Sequence, residues 1–436
     1  MTKPCLPPRR QFLKAATVLG FSLAGKAFAV AAPKTVTVVT SYPDEFTSRI
    51  EAAFEKAHPE YRLRIIWRMP NDASPFLLQA GHGGADVYWS ASARSFARLA
   101  REGIWRKLPI DRSKLPDHIG KAALADRDGY YTATEVAGYG FAVSPPMLAA
   151  RGLPPPADWN DLADPRLAGL VALPIPARVG FAPAMVEVVL QSYGWKRGWA
   201  LWGEIAANAV LVDRGSTFVT DEVASGRCAV GLSIDFFVNS AIANGTPLSF
   251  IYPSHTGINP AHIAVTRDCP NPPGAEAFVS FMLSEPGQKI LGHPDIRRLP
   301  VRPDVYAELP QHYFNPFAAA KAGNLQFDSE AARPRLATTA GIFQQMLIEP
   351  HDELKSLWQR VHQAESGGRP MTKVRELLGT PPIDEAAANE VALHRQLGQR
   401  LEGEAPGTPS DPEHAWMASC RAQRDAARRL LSEDGA

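Results

Sequence analysis

The sequence predicts an α/β fold of two lobes joined by a pair of hinge crossings, followed by a C-terminal helical extension. Three observations carry that expectation. Short β-branched segments alternate with amphipathic ones from about residue 35 to 283, which is the pattern of a sheet covered on both faces by helices. Two extended runs, 135–143 and 261–265, lead out of the first alternating block and back into it. Beyond about residue 335 only helical periodicity remains.

Taken in order, residues 1–31 read as an export signal. Arg9-Arg10-Gln11-Phe12-Leu13-Lys14 precedes a short apolar run, 15–23, interrupted by Gly20 and Ser22 and closed by Lys26. That run falls well short of the ~20 apolar residues a membrane-spanning helix needs. Small residues then offer a peptidase cuts after Ala29 or after Ala31. The Arg-Arg-x-Phe-Leu-Lys order resembles the twin-arginine signal, which exports proteins already folded; an ordinary secretory signal with adjacent arginines uses the same ingredients. Both readings place the mature protein outside the cytoplasm.

The first lobe opens with a β-branched strand at 35–39 that stops at Thr40-Ser41-Tyr42-Pro43. Phe46, Ile50, Phe54 and Ala57 then keep helical spacing until Pro59. A strand at 63–67, a helix opened by Ser74 and Pro75, a strand at 85–89 and a helix over 96–100 follow. The run 135–143 crosses to the second lobe, and Pro145, Pro146, Pro154, Pro155 and Pro156 mark a break. Trp159-Asn160-Asp161-Leu162 begins the next unit, with strands at 170–173 and 229–234 and helices at 181–193, 196–208 and 217–224. The return at 261–265 leads to a helix over 275–283. The extension reads as helices at 338–347, 351–364, 384–402 and 412–432. The implied division is 32–140 with 262–335 for lobe one, 141–261 for lobe two and 336–436 for the extension.

Composition narrows the function classes. The 436 residues are long enough for two or three cores, and 45% apolar with 21% charged side chains describes a globular chain. Forty-six basic residues against forty-five acidic ones provide no net field for a nucleic acid. Cys5 leaves with the signal, and Cys228, Cys269 and Cys420 are too few and too widely spaced for a disulfide framework. Cys228 and Cys269 can pair only if the fold brings them within reach; a buried thiol beside Ala229 and Val230 is the default for Cys228. No nucleophile elbow, zinc-protease helix or dinucleotide glycine pattern is present, and Gly81-His82-Gly83-Gly84 precedes a strand instead of following one, so no enzyme is expected. Neither is a cofactor.

Several segments, in a fixed order from about residue 34 to 303, resemble extracellular solute-binding proteins of ABC importers, in the group of ferric-iron, polyamine and phosphate-ester binders. They are Asp86-Val87-Tyr88-Trp89-Ser90-Ala91, Trp159-Asn160-Asp161-Leu162, the run 223–231 ending Ala229-Val230-Gly231, the run 277–288 ending Pro286-Gly287-Gln288, and Leu299-Pro300-Val301-Arg302. The helical tail lies outside that common core and resembles phosphoglycerate-transport regulatory proteins. The resemblance implies a periplasmic binding protein of the type 2 fold, acting as a monomer, which closes on a small solute and delivers it to an ABC permease. Presentation of the solute to a membrane sensor kinase is the alternative, and a ferric-iron or polyamine binder the second.

Iron binders of that group place paired tyrosines after the central strand of lobe two. Here the same place reads Ile234-Asp235-Phe236-Phe237, and phenylalanine offers no ligand atom. None of the eleven histidines has convincing metal spacing; His255 and His262 fall in a loop and a strand, so no metal site is expected. Ligands of open α/β sheets sit beyond the carboxyl ends of the strands. The candidate ligand-binding residues there are Ser41, Tyr42, Ser90, Ser92, Ser216 and Thr217, several just ahead of a helix, where free N–H groups suit phosphate or carboxylate oxygens. Capping uses the same serine and threonine atoms. Arg178 adds a guanidinium able to grip such an anion, and Arg214 is a weaker second. Asp235, at the mouth of an apolar strand, either reads a ligand hydroxyl or ammonium or caps the helix that follows. Trp89, Tyr42 and Phe236 are candidate apolar walls. A small anionic, hydroxylated metabolite is the expected solute.

Overall fold

The computed structural model describes residues 32–214, 217–398 and 408–433. The export signal, Cys5 and Ser216 lie outside the described residues. The first lobe begins with β1 (Lys34–Thr40), α1 (Asp44–Ala57), β2 (Tyr61–Trp67) and β3 (Val87–Ser90). The crossing strand β4 (Tyr131–Val143) leads to β5 (Val171–Pro174), α2 (Ala182–Tyr193), α3 (Trp195–Ala207), β6 (Ala209–Val212), α4 (Thr217–Ala224), β7 (Val230–Ile234), α5 (Asp235–Ala243) and β8 (Ser249–Ile251). The return strand β9 (Ile258–Thr266) carries the chain back to α6 (Pro272–Leu283), α7 (Glu285–Leu291) and β10 (Leu299–Pro300).

The strands follow one continuous path, β2-β1-β3-β9-β4-β7-β5-β6. β1 lies parallel to β2 and β3, and β9 runs antiparallel to β3 and β4. On the far side β4 meets β7 antiparallel, and β7, β5 and β6 are parallel. β4 is thirteen residues long and buried along nearly all of them, which is what a strand shared by two lobes and covered on both faces requires. In α1 the predicted apolar positions Phe46, Ile50 and Phe54 are buried, Asp44 and Glu45 sit in the positive first turn, and the helix ends at Ala57 ahead of Pro59.

Four local readings differ from the sequence expectation. The helix placed at Ser74 starts at Pro70, because a proline in the first turn already has helical φ and lacks an N–H that has no partner there (Pro70–Leu77). For the same reason Pro145 and Pro146 open a short helix, Pro145–Ala150, instead of breaking the chain. The tail segment expected as one helix over 384–402 is, up to residue 398, Glu385–Ala388 followed by Val391–Leu397, with Asp384 capping the first through the Ala387 N–H; 399–402 lie outside the described residues. A further tail helix, Thr372–Gly379, was not expected at all.

The extension consists of α8 (Leu336–Phe343), α9 (His351–Ser366), α10 (Thr372–Gly379) and α11 (Asp411–Glu433), with the two short helices between the last pair. It shares one apolar core with lobe two: the Phe343 ring lies 6.2 Å from Trp199 and 5.3 Å from Trp202, and Trp358 and Val361 join the same cluster. Ion pairs, one of them buried, stitch the contact. Arg335 Nε donates to both oxygens of the fully buried Glu187 at 2.9 Å and its Nη1 reaches Glu385 at 3.1 Å; Arg375 joins Glu365 to Glu204 of α3. Gly379 permits the closest approach, since a Cβ there would stand 2.7 Å from that of Ala200.

Cys228, Cys269 and Cys420 are free thiols. Cys228 is buried in lobe two and pushed up to about 11 by burial, whereas Cys269 donates to Asp86 in lobe one. The two do not pair. No described helix is long and apolar enough to cross a membrane.

Candidate ligand-binding cleft

The register of the parallel strands decides what meets at the cleft. Thr40 of β1 stands opposite Trp89 of β3, so the loops leaving their carboxyl ends run side by side and the hydroxyls of Ser41 and Ser90 come within 3.3 Å. Ser92 instead pairs its hydroxyl with Ser95 at 2.8 Å at the start of the helix Ala93–Arg101. Tyr42 turns inward and is buried, packing against Trp89 at 4.5 Å and Phe46 at 5.0 Å.

Beneath this aromatic wall lies Glu135 of β4, fully buried. Its carboxylate accepts from the Tyr42 hydroxyl on one oxygen and from the Thr134 hydroxyl and the Trp89 indole N–H (3.4 Å) on the other. Burial raises its pKa above the ordinary carboxylate range, opposed by Arg298 and by these donors. Burial, with the Glu135 charge next, lifts the Tyr42 phenol well above its usual value, so the phenol stays a donor.

Arg298, in the residue before β10, ties the lobes together. Leu299 pairs with Val136 on β4, which sets Arg298 beside the Glu135 cluster. Its guanidinium stands 4.7 Å from the Tyr42 ring and 5.5 Å from Phe46 in lobe one, and 3.9 Å from the Phe236 ring on α5 of lobe two. The residue is only 5% exposed, and its Nη1 has no hydrogen-bond partner.

Asp235 is the lobe-two counterpart. It is the first residue of α5 and does not cap that helix: Ile234 holds the cap position, and the Asp235 carboxylate turns to the crossings. Oδ2 accepts from the Gly138 N–H at 2.8 Å and the Tyr252 hydroxyl at 2.9 Å, while Oδ1 is buried without a partner. Burial pushes the carboxyl up to about 6 against the pull of those two donors, of Arg298 and, least, of the Phe236 N–H. Gly138 is required by close approach, because a Cβ would sit 2.4 Å from the Tyr252 ring. Tyr252 in turn stacks on Phe314 at 3.6 Å.

Of the residues singled out from sequence, Ser41, Tyr42, Ser90 and Asp235 thus converge on the cleft around Arg298, with Trp89 and Phe236 as its walls. Arg178 and Thr217 lie at the carboxyl ends of the lobe-two strands in exposed positions; Arg178 meets Asp213 at 3.4 Å with 40% of its side chain exposed, and Arg214 covers Phe218 at 4.5 Å. Glu135 and Arg298 were missed. An acid inside a β-branched, apolar run was the available signal for Glu135; Arg298, next to Arg297, carried none. His255 bonds Asp158 in a loop, His262 is buried in β9, and no group of three or more His, Cys, Asp or Glu able to hold a metal exists among the described residues.

Comparison with known proteins agrees with this architecture. The phosphoglycerate transport regulatory protein PgtC of Salmonella typhimurium is 32% identical over 268 residues, which cover 59% of this chain and 64% of that protein, a little under two thirds of its length. The periplasmic binding protein AfuA of Actinobacillus pleuropneumoniae, solved with fructose-6-phosphate, superposes with a TM-score of 0.56 at 17% identity over 71% of this chain and 99% of its own. Iron-bound HitA of Pseudomonas aeruginosa gives 0.55 at 19% identity over 70% and 99%. At such identities the two structures speak for the two-lobed fold alone. The model of the bacterial extracellular solute-binding proteins matches residues 84–318, more than half of the sequence, and the chain belongs to that family.

Proposed function

We propose that this protein is a periplasmic receptor that captures a small anionic, hydroxylated metabolite, phosphorylated or carboxylated, by closing its lobes on it, and hands it to an ABC permease. The observation that carries the reading is the pair of buried, unpartnered polar atoms between the lobes: a donor, Arg298 Nη1, and an acceptor, Asp235 Oδ1. Buried polar atoms are normally satisfied, so two unsatisfied ones of opposite kind in a cleft are the imprint of a partner carrying both an acceptor and a hydroxyl. Ser41, Ser90 and Tyr42 line lobe one of this site; Arg178 and Thr217 are assigned to the outer rim of lobe two, and Ser216 is kept as a ligand-binding candidate from sequence. The lobes are taken as 32–140 with 262–335 and 141–261, and 336–436 as the extension.

Closure follows from where the contacts lie. Arg298 is anchored in lobe one and stacks on Phe236 of lobe two, so an anion held by its guanidinium is gripped best when the lobes are together, and only such a difference in affinity drives closure. Ferric ion finds Phe236 and Phe237 where ligand oxygens would be needed. The name of PgtC, a regulatory protein, favours as a second reading that the closed form is presented to a membrane sensor kinase.

A thermal-shift panel of 3-phosphoglycerate, fructose 6-phosphate, citrate, spermidine and ferric ion tests the proposal. A bound anion at a hundred times its Kd stabilises the folded state by about 2.7 kcal/mol. A response to spermidine or ferric ion alone would overturn it.

A further inference from the structure

The buried cleft has an unbalanced charge count. Glu135 and Asp235 supply two buried carboxyls against one buried guanidinium, Arg298, and entry of an anion adds more negative charge. A buried charge without a counter-charge is strongly disfavoured, and taking up a proton relieves it. The hydrogen bonds decide where it goes. Both oxygens of Glu135 already accept donors, from Tyr42 on one and from Thr134 and Trp89 on the other, an arrangement that favours the ionised form. Asp235 accepts Gly138 and Tyr252 on Oδ2 alone, and its Oδ1 has no partner. Resting on the anion reading above, we propose that the solute enters together with one proton, carried on Oδ1 of Asp235, so that an O–H donor joins the Arg298 guanidinium in holding the ligand.

The groups that face Asp235 fit this role. Arg298 is the only cation among those acting on it; Tyr252 just after β8 and Tyr306 and Tyr313 from the segment after β10 are phenols held neutral by burial, and Glu135 acts on Arg298 from β4. The carboxyl already sits near 6 with the site empty, within reach of full protonation once an anion arrives. Uptake of a proton makes affinity fall as pH rises, by up to tenfold per pH unit above the titration of the empty site.

The test is calorimetry at pH 7.5 with 3-phosphoglycerate and with fructose 6-phosphate, in buffers of different ionisation enthalpy. At that pH a phosphate monoester with a second pKa of about 6 is already about 97% dianionic, so the ligand contributes little. Wild type should take up between half a proton and one proton per ligand, and its Kd should weaken several-fold from pH 7 to 8. Asp235→Asn mimics the protonated acid; it should bind with essentially no proton uptake and a flat Kd over the same range. Equal uptake in wild type and variant, or loss of all binding in a folded Asp235→Asn, overturns the proton site. If the Asn variant does not fold, Tyr252→Phe serves: losing one donor on Oδ2 must raise the carboxyl pKa and move the pH midpoint of binding upward, and an unmoved midpoint refutes the proposal. Absence of binding heat with either ligand and with citrate in wild type overturns the anion reading itself, and this inference with it.

Discussion

Replacing Arg298 by methionine is the most direct perturbation of the cleft, because it keeps the apolar stem and removes the one cation both acids face. Two losses are expected. A hydrogen bond from Nη1 to an ionised ligand contributes about 1.5–3 kcal/mol. The guanidinium stacked 3.9 Å from the Phe236 ring adds about 0.5–2 kcal/mol to the closed arrangement, toward the upper end because the residue is 5% exposed. Together they amount to about 2–5 kcal/mol, a weakening of roughly 30- to several-thousand-fold. Arg298→Lys restores a point charge without the planar fork and should recover only part of it. Titration calorimetry with the ligand found by the thermal-shift panel gives the Kd of all three proteins, and small-angle scattering with and without ligand reports closure. A methionine variant that binds within threefold of wild type would refute the role assigned to Arg298.

Gly138→Ala places a methyl 2.4 Å from the Tyr252 ring and 3.5 Å from Asp235 Oδ2, so it should destabilise by about 1–3 kcal/mol and weaken ligand binding together; loss of neither, by urea melts and calorimetry, would show that the hinge has room to spare. Arg335→Met strands the buried Glu187 and should cost about 3–5 kcal/mol, lowering the melting temperature by roughly 5–15 °C, with a smaller loss at acid pH where Glu187 can accept a proton. A shift below 2 °C at pH 8 would argue against the segment leading into the extension being tied to lobe two by this pair. Burial drives His262 down to about 3, and its Nδ1 has no partner. As pH falls from the unfolded value near 6.5 toward 3, the unfolded chain gains a proton that the folded one refuses, so stability drops by up to about 1.4 kcal/mol per pH unit. His262→Phe should remove that slope, measured by urea melts at pH 7.5 and 5.

Much of the first lobe was legible because period and punctuation act locally. The β-branched run at 35–39, the Phe46-Ile50-Phe54 stripe and the stop at Pro59 each state their structure within a few residues. Asp235 was legible as an acid just after an apolar strand, yet its partners, Gly138 of the crossing strand and Tyr252 after β8, come from distant segments, and nothing local announces them. Serine and arginine were harder. Ser41 and Ser90 meet because β1 and β3 are adjacent and in register, whereas Arg178 had the right chemistry next to a helix start and lies on the exposed rim beside Asp213. Arg298 was invisible since its role depends on rings at positions 42, 46 and 236, brought together only by closure of the sheet path.

By itself the sequence determined the class of the molecule: alternating elements, two crossings and an ordered set of motifs are statements about which segments are apolar and at what period, and short-range sterics and burial enforce them. It also determined which chemistry was at hand in the loops. Tertiary structure alone decided which of those groups share a space, how many donors each acid receives, and which atoms are left over. Those quantities depend on burial and on contacts across 93 to 97 residues of chain, as between Tyr42 and Glu135 or Gly138 and Asp235, and no local pattern encodes them.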